Sequence, residues 1–280
     1  LLAAIEDAPP LIYAQGHRHL LERPGIGIVG ARNASASGRR LARDLATALA
    51  DAGVIVVSGL ARGIDTAAHQ GALAGGTVAV VAGGLDIVYP PENAELQQAI
   101  VAQGLVMTEA PPGTEPQARH FPRRNRIISG LVRGIVVIEA AARSGSLITA
   151  RLAGEQGRDV FAVPGSPLDP RSAGTNRLLK EGATLVETAD DILDALQSLP
   201  DPLREPSETP PFAAGTGSAA DEPSDAERQA IKDLLSYAPT QVDSLVQESG
   251  LTVNRVLTIL LELELGGVIQ RHPGGRVAFA

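Results

Sequence analysis

Seven short apolar runs, each separated from the next by a helix-length segment, constrain this chain more than any other feature: Ile26 to Gly30, Val54 to Ser58, Thr77 to Ala82, Leu105 to Glu109, Gly134 to Glu139, Asp159 to Val163 and Thr184 to Val186. They are nearly continuous rather than alternating, the pattern of strands buried on both faces. Strands alternating with helices over residues 25–198 predict an α/β fold, an extended Rossmann-like, doubly wound and mostly parallel sheet. Between the first two runs, Ser37 to Ala52 reads as a helix opened by Ser35 as N-cap and closed by Gly53. Pro122 suits the first turn of a later helix. With four Phe, three Tyr and no Trp, the core must be built from Ala, Val, Leu and Ile.

Residues 1–24 read as a lead-in segment. Residues 199–224 read as a flexible linker, since Pro200, Pro202, Pro206, Pro210, Pro211 and Pro223 fall there among Ser, Thr, Gly and acid. From 225 to 280, three helical patterns are followed by strand-like pieces at Val268 to Arg271 and Arg276 to Phe279. This predicts a small winged-helix domain, whose third helix is the usual reader of DNA. The absence of Cys excludes a disulfide framework, a thiolate metal site and a cysteine nucleophile. No apolar run is long enough to cross a bilayer, and the start, LLAAIEDAPP, has no basic n-region. The expectation is a cytoplasmic protein with no membrane contact, lacking part of its natural N-terminus because it opens on Leu. Lys plus Arg number 24 against 32 Asp plus Glu, a net charge of −8. That balance disfavours indiscriminate binding to polyanions, so the placement of the bases matters more than their sum.

Three turns at strand ends carry the chemistry. GARNASASGRR gives Gly30 for a tight turn, Arg32 beside it and Ser35 at a helix start, a natural anion site. SGLARGIDTAAHQ supplies Ser58, Gly59 and Gly63, and two such turns on neighbouring strands would form the crevice where open α/β sheets bind ligands. Asp65 and His69 stand four apart there, a spacing metal sites also use. With no third ligand nearby, capping and packing are the expected roles, and no metal or cofactor is expected. After Glu139, the run ARSGSLITA offers Ser144, Gly145 and Ser146 as phosphate donors, with Glu139 expected to hold Arg124 or Arg126 by an ion pair. Between Pro116 and Ile138 lie Arg119, Arg123, Arg124, Arg126 and Arg133 and no acid. Phe121, one of seven aromatics, stands in that basic loop, where it could stack a base while arginines hold the flanking phosphates. There is no GxSxG elbow, HExxH or GxxxxGK[ST] run, so nothing supports catalysis.

Six motifs in order resemble the DNA-processing protein A (DprA/Smf) family: GARNASASG at 30–38, SGLARGID at 58–65, AGGLDIVYPPEN at 82–93, HFPRRNRIISGL at 120–131, EAAARSGSLITA at 139–150 and VPGSPLDPRSAGTNRLLKEGA at 163–183. The resemblance implies a non-enzymatic Rossmann-like protein that binds single-stranded DNA, forms a homodimer through that domain, and helps load the RecA recombinase during natural transformation and recombination. It implies a binding pocket of Arg32 and Ser35, Ser58 and Gly59, Phe121, Arg124 and Arg126, and Ser144 to Ser146. Gly30, Arg119 and Asn125 join them from the same motifs. Members often carry Lys three residues before the aromatic; here Ala118 stands there, beside Arg119. Many members also have an N-terminal helical domain of the SAM type, of which residues before Gly25 would be at most a remnant.

Two alternatives remain. A Rossmann-like enzyme of the nucleoside-monophosphate phosphoribohydrolase type would use a similar crevice, but it wants a PGGxGTxxE run where this chain reads EAAARSGSLITARLAGE. Alternatively the winged helix reads the DNA, although its third helix, TVNRVLTILLELELGG, offers Arg255 as its only base and adds Glu262 and Glu264.

Overall fold

A computed structural model of the chain describes residues 1–198, 223–236, 240–272 and 276–279. It divides into two compact units, Leu1–Glu205 and Pro206–Ala280. The linker expected over 199–224 lies outside the described residues except at 223 and 224.

The first unit is an eight-stranded sheet in the order β1-β5-β4-β3-β2-β6-β7-β8. Its strands are β1 (Tyr13–Gly16), β2 (Gly25–Gly30), β3 (Ile55–Ser58), β4 (Thr77–Val80), β5 (Leu105–Thr108), β6 (Gly134–Ile138), β7 (Asp159–Ala162) and β8 (Thr184–Leu185). All seven expected runs are strands. They pair in parallel, and the extra strand β1 runs antiparallel to β5 with Tyr13 opposite Thr108. The segment read as a lead-in therefore contributes an edge strand. YAQG has little strand character of its own, and its pairing with β5 is a tertiary effect.

Seven helices cover the sheet: α1 (Ala36–Asp51), α2 (Ile64–Ala72), α3 (Ala94–Gln103), α4 (His120–Leu131), α5 (Ser146–Glu155), α6 (Ala173–Lys180) and α7 (Ala189–Ser198). One face packs α1, α2 and α7 on Ile26, Ile28, Val56, Val136, Ile138 and Phe161. The other packs α4 and α5 on Val57, Val78, Val80, Ile135 and Val137. Each strand points successive side chains to opposite faces, so continuous Val and Ile runs serve both cores at once. Ser35 caps α1 by accepting from the Gly38 N–H at 2.9 Å, and Gly53 follows its last turn with φ +84°. From the central β2 the chain winds outward to β5, then returns to β6 on the other side of β2. That reversal puts the topological switch point at the carboxyl ends of β2 and β6, where a ligand crevice belongs.

The second unit holds α8 (Asp225–Leu234), α9 (Val242–Ser249) and α10 (Val253–Leu265), with the hairpin β10 (Ile269–His272) and β11 (Arg276–Phe279). A two-residue strand, β9 (Thr240–Gln241), pairs with β11 and completes a winged-helix arrangement. Its own core gathers Ile231, Leu245, Val256, Ile259, Leu260 and Val277. No helix among the described residues is long and apolar enough to cross a membrane.

Candidate nucleic-acid interface

The turns after β2 and β3 are packed against one another. A Cβ on Gly30 would lie 1.9 Å from the Ile138 carbonyl, and one on Gly63, at φ +79°, would lie 2.3 Å from the Ala31 carbonyl. Side chains there would part the strand ends, which is why small residues recur. Asp65, on the first turn of α2, shapes the β3 turn by accepting from the N–H groups of Gly59 at 3.1 Å and Ala61 at 3.3 Å. Burial pushes its carboxyl above the usual range, and the nearby Arg124 charge opposes that shift. The capping role foreseen for Asp65 is therefore the one these bonds describe. His69 is fully buried, with Nδ1 2.7 Å from Thr77 Oγ1. Burial, helped by Arg124, pulls its pKa down to about 3.

The stretch read as a basic loop is the first two turns of α4, and helical periodicity divides its arginines. Phe121 and Arg124, three apart, face the crevice. Arg123 and Arg126, also three apart, face Glu109, with nitrogen–oxygen distances of 2.7 and 2.5 Å. Arg126 also donates to the Asp7 carbonyl at 2.6 Å. Glu109 and Asp7, not Glu139, are thus its carboxylate partners. Glu139 instead accepts from the Ser35 backbone N–H at 2.8 Å and from the Ser35 hydroxyl, beside a Gly38 that leaves room for it. The ion pair expected from Glu139 to Arg124 or Arg126 is therefore replaced by a clasp on the α1 cap.

Arg124 is only 5% exposed. Its guanidinium lies directly on Gly59, where an added Cβ would sit 1.5 Å from Nη1. Its Nε has no hydrogen-bond partner. Burial pulls its pKa down to about 10, Asp65 pushes it back up, and Arg32 pushes it further down. Holding a guanidinium in so costly a place leaves hydrogen-bonding capacity unspent at the floor of the crevice. Above it, the Arg32 guanidinium carbon stands 5.0 Å from the centroid of the Phe121 ring, a cation–π contact. Tyr89 meets the same ring at 5.6 Å, tilted by 54°.

Two cavities share this wall of Arg32, Asn33, Ala61, Phe121 and Arg124. One, of about 310 Å³, runs over Val81, Ala82, Ile87, Tyr89 and Pro90. The other, of about 460 Å³, reaches Gly30, Asn125, Ser144, Gly145, Ser146 and the two further arginines Arg143 and Arg171. The pair suits a ligand that alternates flat apolar rings with anionic groups.

Of the residues singled out in the sequence, the structure brings together Gly30, Arg32, Gly59, Phe121, Arg124, Asn125, Ser144, Gly145 and Ser146. The others lie apart from the cavity walls. Ser58 donates its hydroxyl to the Ile28 carbonyl at 2.6 Å, and Ser35 spends its own on Glu139 and the α1 cap. Arg126 is tied to Asp7 and Glu109, and Arg119 is exposed at the start of α4. Asn33, Tyr89, Arg143 and Arg171 were missed. Arg143 adjoins Ser144 in a motif already noticed, whereas Arg171 and Tyr89 come from turns distant in sequence and only the fold brings them in.

A family model described as DNA recombination-mediator protein A matches residues 1–197, and one described as the DprA winged helix domain matches 216–275. Protein Smf of Escherichia coli K12 is 41% identical over 290 residues, covering 99% of this chain and 73% of that protein. DNA processing protein DprA of Streptococcus pneumoniae is 48% identical over 194 residues, covering 69% of this chain and 68% of that one. The X-ray structure of the Streptococcus pneumoniae protein superposes with a TM-score of 0.67 over 69% of each chain. A DNA processing protein A from Helicobacter pylori, described for its single-stranded DNA binding mode, superposes with a TM-score of 0.66 at 30% identity, over 70% of this chain and 91% of its own.

Proposed function

This chain belongs to the DprA/Smf family of DNA recombination-mediator proteins, and we propose that its α/β unit binds single-stranded DNA in the crevice at the carboxyl ends of β2, β3 and β6. The observation that carries this reading is the stack of Arg32 on Phe121 beside a buried Arg124, on the wall that the two cavities share. Exposed bases stack on aromatic faces and phosphates collect on arginines and helix N-termini, and neither contact reads sequence strongly. The N-terminus of α5, with Ser144 and Ser146, and the exposed Arg143 supply the phosphate side. Duplex DNA offers no free base to stack on the Phe121 ring.

The reading is of a binding protein, not an enzyme. Both carboxylates beside the crevice are engaged, Asp65 by two backbone N–H groups and Glu139 by Ser35, so neither is aimed at a water or a leaving group. That disfavours the phosphoribohydrolase alternative. Loading of RecA onto the bound strand during natural transformation, in the cytoplasm, is part of the same proposal, supported by the match to a recombination-mediator family. A homodimer through the α/β unit is supported by the open edge of β8, where Leu185 is 49% exposed on a strand with one side unpaired.

The test is fluorescence anisotropy of a labelled oligo-dT and a duplex of matched length across a salt series. Salt-sensitive binding to the single strand alone is expected, and Phe121→Ala should weaken it by about 1 to 3 kcal/mol. Wild-type affinity in that variant removes the stacking role. Equal binding to duplex moves the site to the winged-helix unit, and release of free base from AMP favours the enzyme.

A further inference from the structure

Taking the single-strand reading as its premise, we propose that the strand leaves the crevice over the groove between α1 and α2, where Arg39, Arg43 and Arg62 hold the phosphates of the flanking nucleotides.

The groove is a depression of about 390 Å³ lined by these three arginines with Thr66, Gln70 and Asn93, and with Glu92 as its one carboxylate. It is continuous with the crevice, because Arg62 lines both this groove and the smaller crevice cavity. Arg39 and Arg43, four apart on α1, lie on one face of that helix and are exposed. Neither has a carboxylate partner among the described residues. Arg43 Nη2 instead donates to Gln70 Oε1 across the groove at 3.2 Å. The groove's floor is fixed by close helix approach, since a Cβ on Gly71 would lie 2.3 Å from the Arg43 carbonyl.

Beside the crevice, two neighbouring exposed arginines of a chain of net charge −8 thus stand without a carboxylate partner among the described residues. The opposite exit shows the difference. There the larger crevice cavity opens through Arg143 and Ser144 onto a depression of about 730 Å³ between α5 and α6, lined by four arginines and three carboxylates. Two of those arginines are already paired on their own helices, Arg151 with Glu155 and Arg177 with Glu181. A phosphate arriving at that side must compete with bound carboxylates and face their charge. On the α1/α2 side it displaces only counterions, with Arg62 as the one base shared with an acid, Glu92. No base contact is assigned to the groove, which offers no aromatic ring.

The test compares two labelled strands on the full chain, an oligo-dT of about four nucleotides, which the crevice alone would hold, and one of about 20. The double variant Arg39→Gln/Arg43→Gln should bind the short strand as wild type does. On the long strand its dependence of log affinity on log salt should flatten by about 1.4, roughly 0.7 for each phosphate no longer neutralised. The charge-matched control Arg151→Gln/Arg177→Gln should leave both strands unchanged. An unchanged salt slope in the first variant overturns the proposal, as does equal weakening on both strands, or a flattened slope in the control instead. Failure of wild type to bind either strand removes the single-strand reading itself and this path with it.

Discussion

In the α/β unit Arg124 is buried with its Nε unbonded and Arg32 rests on an aromatic ring, whereas in the winged-helix unit the arginines on the helices are tied to acids. Arg228 forks onto Glu262 at 2.7 and 3.2 Å and reaches Asp225, and Arg255 pairs with Glu227 at 3.2 Å. The helix that reads the major groove in other winged helices, α10, presents Val253, Leu257, Leu261 and Leu265 to solvent, a stripe four residues apart along one face. A winged helix commonly reads DNA and a Rossmann-like sheet hosts many unrelated functions, and the comparison shows why a fold alone does not settle the question. In one unit arginines without a carboxylate partner line a crevice beside an aromatic ring, and in the other the helical arginines are neutralised around an apolar surface.

The sharpest break of that contrast is to remove the buried charge. Arg124→Met removes the nearby positive charge that offsets the burial of the Asp65 carboxyl, and leaving that carboxyl buried without it is expected to cost the α/β unit about 3 kcal/mol. Adding Asp65→Asn should restore part of that stability, since the amide oxygen still accepts from the turn. Urea unfolding followed by circular dichroism measures both, and a cost below about 1 kcal/mol would mean that Asp65 and Arg124 are not coupled.

A smaller effect tests the same buried cluster through pH. His69 has its pKa lowered to about 3 from an ordinary 6.5, so between those values the unfolded chain binds more protons than the folded one. Stability is then fully present above pH 6.5 and falls as the pH drops towards 3. Between pH 7 and about pH 5 the decline from this one group should approach 2 kcal/mol. His69→Gln, which can keep a bond to Thr77, should lack that component. A stability difference between the two proteins that stays flat across this range would show that His69 does not carry the protonation penalty.

How much of this was legible in the sequence depends on whether the signal was local. The seven buried strands could be read because each is a continuous apolar run, and the α1 cap because Ser35 and Gly53 bracket one helix. Strand β1 could not, since YAQG becomes a strand only against β5. The basic stretch was visible as composition but not as geometry. Taken as a loop, Arg119, Arg124 and Arg126 look equivalent; wound into α4, Arg124 turns to the crevice and Arg126 to Glu109. Ser58 misled for a similar reason, because a serine at a strand end reads as a ligand donor until its hydroxyl is seen on the Ile28 carbonyl. Arg171 and Tyr89 lay within quoted motifs, but nothing in those motifs placed them beside Phe121 and Ser144, which only the fold does.

The least disruptive change is also the one that bears on the winged-helix unit. Arg255 is the only base on α10, and it is part-buried in a pair with Glu227, which in turn closes the capping box of α8 through Ser224. If α10 were a DNA reader, Arg255→Ala would weaken duplex binding and flatten its salt slope by about 0.9. The ion pair instead places Arg255 in the service of its own unit, so the variant should bind both single strand and duplex as wild type does. Its effect should be confined to a small decrease in stability, as expected of a pair near the surface and open to solvent screening. Anisotropy titrations of the full chain decide this. A flattened duplex slope would mean that Glu227 yields Arg255 to a phosphate, and the contrast between the two units would then be one of degree. An unchanged slope leaves the apolar stripe of α10 as that helix's distinguishing surface, which is the chemistry of a protein contact, not of a polyanion.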